Sequence, residues 1–264
     1  MKKIIILILF LTVSVSVCQT IDFLTKPELF APSIVSTEKT EVKITFSKDH
    51  TLMLWGTIGW ENGVGGFDIW QSQKKENRWS TPQPVSFNSK ENDFDPCFSS
   101  DGKFVYFFSN RPGGYGGDDI YYVQYDSTSS SFGEPVNMGS NFNTSGDEWG
   151  SSISKDGKKF IYCTDGNKGK GKHDIFICSL TPTGWSSPKN IDAINSSEDD
   201  FDPVFLHDSE TIIFTCKVNE DEALLYISFL GKVGYSSPHI EENTKGRLDI
   251  YRIKYSTSVK NVEF

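Results

Sequence analysis

The chain has 264 residues and a formal charge of −9, from 26 basic and 35 acidic side chains, a field that opposes binding to nucleic-acid phosphates. Three alanines and three methionines stand against 20 Phe, 10 Tyr and 6 Trp, so helix formers are scarce and residues suited to a pleated surface abundant. With 22 Gly and 11 Pro interrupting it, the composition excludes a helical bundle and points to an all-β protein.

At the N-terminus, Lys2 and Lys3 precede a fourteen-residue apolar run from Ile4 to Val17, and polar sequence begins at Gln19. Such a run is too short for a membrane-spanning helix, which needs about 20 residues. Residues 1–18 therefore read as an export signal and residues 19–264 as a single domain. Cys18 offers a second processing route: Val15-Ser16-Val17-Cys18 loosely resembles a lipoprotein lipobox, although Val17 replaces the small residue usual there. Cleavage near Gln19 and lipidation of Cys18 both stay open.

Beyond this point the chain repeats. FSKDHTLMLW from Phe46, FSSDGKFVYFF from Phe98, ISKDGKKFIYC from Ile153 and FLHDSETIIFT from Phe205 align, with Asp49, Asp101, Asp156 and Asp208 spaced by 52, 55 and 52 residues. Two further landmarks keep step. Trp70, Tyr121, Phe176 and Tyr226 recur on one predicted strand, and Trp79, Phe132, Trp185 and Tyr235 shortly after it. In the second unit the pattern predicts strands over 95–99, 103–109, 119–125 and 134–138, with a Ser-Asp-Gly turn and a glycine loop between them.

Four antiparallel strands in each unit of about 50 residues is the arithmetic of a β-propeller blade. The fourth unit lacks the turn glycine, and Asp249-Ile250-Tyr251 follows only 25 residues after Tyr226. The expected fold is a five-bladed propeller whose last blade joins residues 244–264 to N-terminal strands from 21–38, because closure hides sheet edges. Four blades is the alternative.

The second unit, DPCFSSDGKFVYFFSNRPGGYGGDDIYYV at residues 95–123, resembles the WD40-like β-propeller repeat proteins related to the TolB propeller, exported bacterial members among them. Ser100 replaces the proline of their Ser-Pro-Asp-Gly-Lys turn. The likeness covers about residues 27–255. It implies the propeller fold and names no ligand.

What a blade needs for packing it needs every time, so repeated residues are assigned to the scaffold. Asp49, Asp101, Asp156 and Asp208 are expected to accept backbone N–H bonds across tight turns, and Phe94, Trp149 and Phe201 to pack between blades. His50, His173, His207 and His239 occupy unrelated positions, and no HExxH, GxSxG or P-loop occurs. No catalytic residue or metal site is therefore assigned.

The reading is an exported, non-catalytic binding or scaffold module of the bacterial cell envelope, monomeric, engaging a glycan, an envelope polymer or a protein. It would be periplasmic, outer-membrane-associated or extracellular. A glycoside hydrolase-like enzyme needs only two carboxylates and is the alternative. Ligand contacts are sought where the repeat breaks, in the loops between second and third strands: Trp60, Glu61 and Asn62; Arg111 and Tyr115; Lys168, Lys170, Lys172 and His173. Beside them the lead-ins to the first strands bring Asp93, Asp95, Asp147, Glu148, Asp199, Asp200 and Asp202. No cofactor is expected, a cation such as calcium at these carboxylates being the one allowance. Among Cys97, Cys163, Cys178 and Cys216, the pair Cys163–Cys178 is the candidate disulfide, and four free thiols are the expectation.

Overall fold

The computed structural model describes residues 16–23, 28–166, 169–206, 209–217, 223–229, 232–235, 251–252 and 255–262, with side chains for 29–166, 169–206 and 209–216. Most of the expected export signal, the Cys18 side chain, Lys168, His207, Asp208, His239 and residues 244–250, 253–254 and 263–264 of the expected fifth blade lie outside what is described, as do the side chains of Tyr226 and Tyr235. Among the described residues every element is a strand, and no helix is long and apolar enough to cross a membrane.

Four antiparallel sheets follow one another along the chain. Sheet 1 runs Thr40–Phe46, Leu52–Ile58, Phe67–Lys75, Arg78–Trp79. Sheet 2 runs Asp93–Phe98, Phe104–Ser109, Asp119–Asp126, Ser131–Phe132. Sheet 3 runs Glu148–Ile153, Lys159–Thr164, Asp174–Thr181, Gly184–Trp185. Sheet 4 runs Asp199–Phe205, Thr211–Lys217, Ala223–Phe229, Lys232–Tyr235. First strands of successive sheets lie side by side, which is the β-propeller arrangement. The outer strand expected over 134–138 is two short pieces, Ser131–Phe132 and Val136–Asn137, both paired with the third strand. Pro135 between them has no N–H to extend the ladder, and Pro82 and Pro188 split sheets 1 and 3 in the same way.

The Asp turns are built alike. Asp101 accepts the Lys103 N–H at 3.0 Å and the Ser99 hydroxyl at 2.6 Å, and Asp49 and Asp156 repeat this with Thr51 and Ser47, and with Lys158 and Ser154. Gly102 and Gly157 take φ of 77° and 71°. His50 holds the same place in sheet 1 with φ 56°.

Alternation along the second strand sends its side chains to opposite neighbours. Val105 and Phe107 pack toward sheet 1 with Leu52, Leu54 and Ile69, while Tyr106 and Phe108 pack toward sheet 3 with Phe160 and Tyr162. A third cluster, Ile161, Cys163, Ile175, Ile212 and Phe214, joins sheets 3 and 4. Hydrophobic burial therefore lies between blades and holds each to the next. The four described thiols are free and buried. Cys163 faces Ile175 and Cys178 faces Phe160 across the strand pair, so the two sulfurs are not cross-strand partners.

Between blades the chain crosses from an outer edge to the next inner strand, and one asparagine fixes each crossing. Asn88, Asn143 and Asn195 accept the N–H of Ile69, Ile120 and Ile175 and donate to the carbonyl of the same residue, at 2.8–3.0 Å. Just beyond, the second-to-third-strand loop bonds the lead-in of the next blade: Gly66 N–H to Glu91, Gly117 to Gly146, Lys172 to Glu198. The approach is so close that a Cβ on Gly65, Gly116 or Gly171 would overlap the carbonyl oxygen of Glu91, Gly146 or Glu198.

The ends of the chain form a separate unit in which Ser16–Phe23 pairs antiparallel with Tyr255–Val262 over eight residues.

Asn143→Ala leaves the buried Ile120 N–H without an acceptor, while the Ile120 carbonyl keeps the Met138 N–H. Urea denaturation is expected to show a loss of about 2–3 kcal/mol, the upper part of the range for an orphaned buried donor, against about 1 kcal/mol for Asp101→Ala at an exposed turn. Equal losses would mean that the asparagines do not hold the crossings.

Candidate functional site

The bonds across each crossing set the second-to-third-strand loops and the first-strand lead-ins on one face. Most polar residues expected to meet a ligand there are engaged by the scaffold. Asp93 is fully buried, pairs with Arg111 at 2.5 Å and accepts the Ser89 N–H. Arg111 also donates to the Phe87 carbonyl and lies 5.1 Å over the rings of Phe107 and Tyr121. Glu148 is buried against Thr144 and Thr164, and that burial pushes its carboxyl up to about 7. Asp200 accepts the Ser196 N–H and hydroxyl, and Asp147 accepts the Asp118 N–H.

The loop tips differ. Tyr115 is half exposed, Glu61, Asn62, Lys170 and Lys172 are exposed, and Lys170 reaches back to the carbonyl of Asp192. Trp60, expected as an exposed platform, is partly buried and lies against Trp70, with ring centroids 4.7 Å apart.

Trp60 occupies the repeat position of Arg111, and Trp70 that of Tyr121. In sheet 2 the guanidinium over Tyr121 is tied to Asp93, whereas in sheet 1 the two indoles form part of the wall of an open cavity of about 430 Å3 lined by Lys39, Glu61, Asn62, Thr81, Gln83 and Pro84 as well. Both indole N–H groups are buried without a hydrogen-bond partner. At the outer corner, Asn137 and Asn190 donate to Asp119 and Asp174 in sheets 2 and 3, while in sheet 1 the strand residue opposite Trp70 is Pro84, which has no side-chain donor.

The inner strands hold a second group that sequence reasoning only partly foresaw. Each first strand is interrupted by a bulge at one repeat position, occupied by Lys43, Asp95, Gly150 and Asp202, with φ of 36°, 51°, 63° and 51°. Asp95 accepts the Gly150 N–H, and burial, with the Asp202 charge next in effect, pushes its carboxyl up to about 7. Asp202 touches solvent, but the inner strands crowd it enough that burial raises its carboxyl too. A Cβ on Gly150 would sit 2.9 Å from Asp202 Cα, so only glycine lets the third and fourth inner strands meet. Among the described residues, no three His, Cys, Asp or Glu side chains converge to hold a metal ion. The 52- and 55-residue spacings could have revealed this ring, because Lys43, Asp95, Gly150 and Asp202 each lie six residues before the aligned aspartates.

Neither a protein-family model nor a curated protein sequence matches the chain. Solved structures are similar to it. TolB from Acinetobacter baumannii superposes with a TM-score of 0.55 at 17% identity, over 76% of this chain and 44% of that one. A TolB-type protein from Agrobacterium tumefaciens gives 0.53 at 17%, over 76% and 63%, and a puromycin-hydrolyzing peptidase from Mycobacterium tuberculosis gives 0.50 at 14%, over 79% and 31%. This chain thus spans less than two thirds of each. At these identities the likeness is one of fold, a TolB-like β-propeller.

The raised carboxyl of Asp95 has a pH signature. Between its ordinary value of 3.8 and about 7, the folded chain keeps a proton that the unfolded chain has released, so this group's contribution to stability declines as pH rises through that window and is flat above it. Asp95→Asn is expected to gain stability relative to the parent chain on going from about pH 5 to about pH 8, read by urea denaturation at each pH. A difference that stays constant with pH would contradict the assignment.

Proposed function

We propose that this protein is an exported, non-catalytic binding propeller of the cell envelope, and that it holds a glycan in the Trp60–Trp70 cavity. The observation that carries the reading is the open cavity of about 430 Å3 walled by the Trp60 and Trp70 indoles, within the range of small-molecule pockets. A pyranose offers an apolar ring face to stack on indole. Asn62, Gln83, Lys39 and Glu61 at the rim supply donors and acceptors for the remaining hydroxyls. Only one carboxylate, Glu61, lines the cavity, whereas glycoside hydrolysis takes two, and this supports binding without turnover. Export rests on Lys2, Lys3 and the apolar run to Val17.

One observation favours a second reading as a carbohydrate-active enzyme: Asp95 and Asp202 are two interacting carboxylates on the inner strands, with Asp95 titrating near 7, the kind of pairing that acid catalysis uses. A screen of envelope glycans followed by calorimetry separates the two readings. The expected result is saturable binding without cleavage, weakened at least about tenfold, roughly 1.4 kcal/mol, by Trp60→Ala at unchanged thermal stability, and untouched by Lys103→Glu on the opposite face. Binding that survives Trp60→Ala or is lost with Lys103→Glu would move the site, and product formation would establish the enzyme.

A further inference from the structure

The Trp60–Trp70 cavity breaks the repeat in charge as well as in shape. Ten residues before each of the aligned aspartates stand Lys39, Glu91, Gly146 and Glu198. Two of the four are acids and one has no side chain, so sheet 1 reverses the sign found in sheets 2 and 4. Thr40 pairs with Ile58, which sets Lys39 beside Gly59, the residue before Trp60. Its aliphatic stem runs along that glycine, where an added Cβ would lie 3.7 Å from Lys39 Cδ. The side chain thereby joins the cavity wall.

Nothing in the fold uses up this charge. In sheet 2 the corner cation is Arg111, and the buried carboxylate of Asp93 neutralises it. In sheet 1 an indole stands in place of that guanidinium, and the cation is Lys39, exposed at the mouth. Glu61 lines the same cavity and is exposed too, yet Lys39 and Glu61 form no ion pair with each other among the described residues. The chain as a whole carries −9, a field that repels anions, and at this corner a lysine offsets it.

The lining sets the chemistry of an occupant. Indole offers a flat apolar face to the C–H groups of a sugar ring. The Glu61 carboxylate accepts from hydroxyls, and the amides of Asn62 and Gln83 donate and accept. Lys39 brings three donors and no acceptor. A hydroxyl oxygen would satisfy one of them, whereas a carboxylate or sulfate oxygen makes the shorter, stronger bond of an ionised pair.

Resting on the glycan reading above, we infer that the cavity selects an acidic pyranose, a sugar residue whose carboxylate or sulfate ester is held by Lys39 while its ring lies on the Trp60 indole.

Calorimetry on the whole chain tests this with the trimers of galacturonate, glucuronate and mannuronate, each beside its neutral methyl ester, with galactose 6-sulfate beside galactose, and with a glucosamine trimer. At least one acidic sugar is expected to bind about fivefold to tenfold more tightly than its neutral counterpart, and whether a uronate or the sulfate does so identifies the anionic group. Lys39→Met is expected to abolish that preference and Lys39→Arg to keep it, with thermal unfolding preserved in both because the side chain is exposed. The inference is overturned, with the glycan reading intact, if neutral sugars bind as tightly as acidic ones, if the glucosamine trimer binds best, or if the preference survives in folded Lys39→Met. If no glycan of either charge binds, or if Trp60→Ala leaves binding untouched, the glycan reading itself falls and this inference with it.

Discussion

One side-chain amide at each blade crossing bonds both the N–H and the carbonyl of one third-strand residue, and the described blades are arranged around it. The carbonyls of Ile69, Ile120 and Ile175 also accept the N–H of Val85, Met138 and Ile191, but their N–H groups would be left unpaired in a dry interior, at a cost to folding. Asn88, Asn143 and Asn195 supply that acceptor. Because a carboxamide carries donor and acceptor at fixed geometry, it also fixes the register of the lead-in. That register brings the preceding loop against the lead-in carbonyls and excludes a Cβ at Gly65, Gly116 and Gly171. Inner strands are joined by the same economy of means: Thr45 and Ser152 hydroxyls accept the N–H of Phe98 and Phe205, and between them the Cys97 sulfur accepts that of Ile153.

A scaffold that satisfies itself so fully makes its exceptions informative. Arg111 with Asp93, and Glu148 with Thr144 and Thr164, are used up inside the blades. One place is not closed in this way. In sheet 1, Trp60 and Pro84 stand where sheet 2 has Arg111 and Asn137, and an open cavity walled by the Trp60 and Trp70 indoles results.

Much of this was legible in the sequence because the repeat is strict. Aspartates at 49, 101 and 156 predicted their turns, the glycine loops marked the face they share, and the aromatic landmarks predicted packing between blades. The pairing of Arg111 with Asp93 was not legible, because the two are 18 residues apart in different segments and only the bend of sheet 2 joins them. Trp60 read as exposed because sequence gives no sign that Trp70 lies beneath it. The asparagines were visible at spacings of 55 and 52, but polar residues in loops carry no periodic hydrophobic signal, so they were passed over. The split outer strand follows from prolines whose effect depends on which side of the strand is paired.

The central claim is that the crossings hold the ring while the Trp60 corner is left free, and residue-resolved amide hydrogen exchange tests it most directly. Protection at the level of global unfolding is the predicted result for the amides of Ile69, Ile120 and Ile175 and for Gly66, Gly117 and Lys172, with Glu61 to Gly63 exchanging orders of magnitude faster. Crossing amides that exchange as fast as those loop residues would contradict the account.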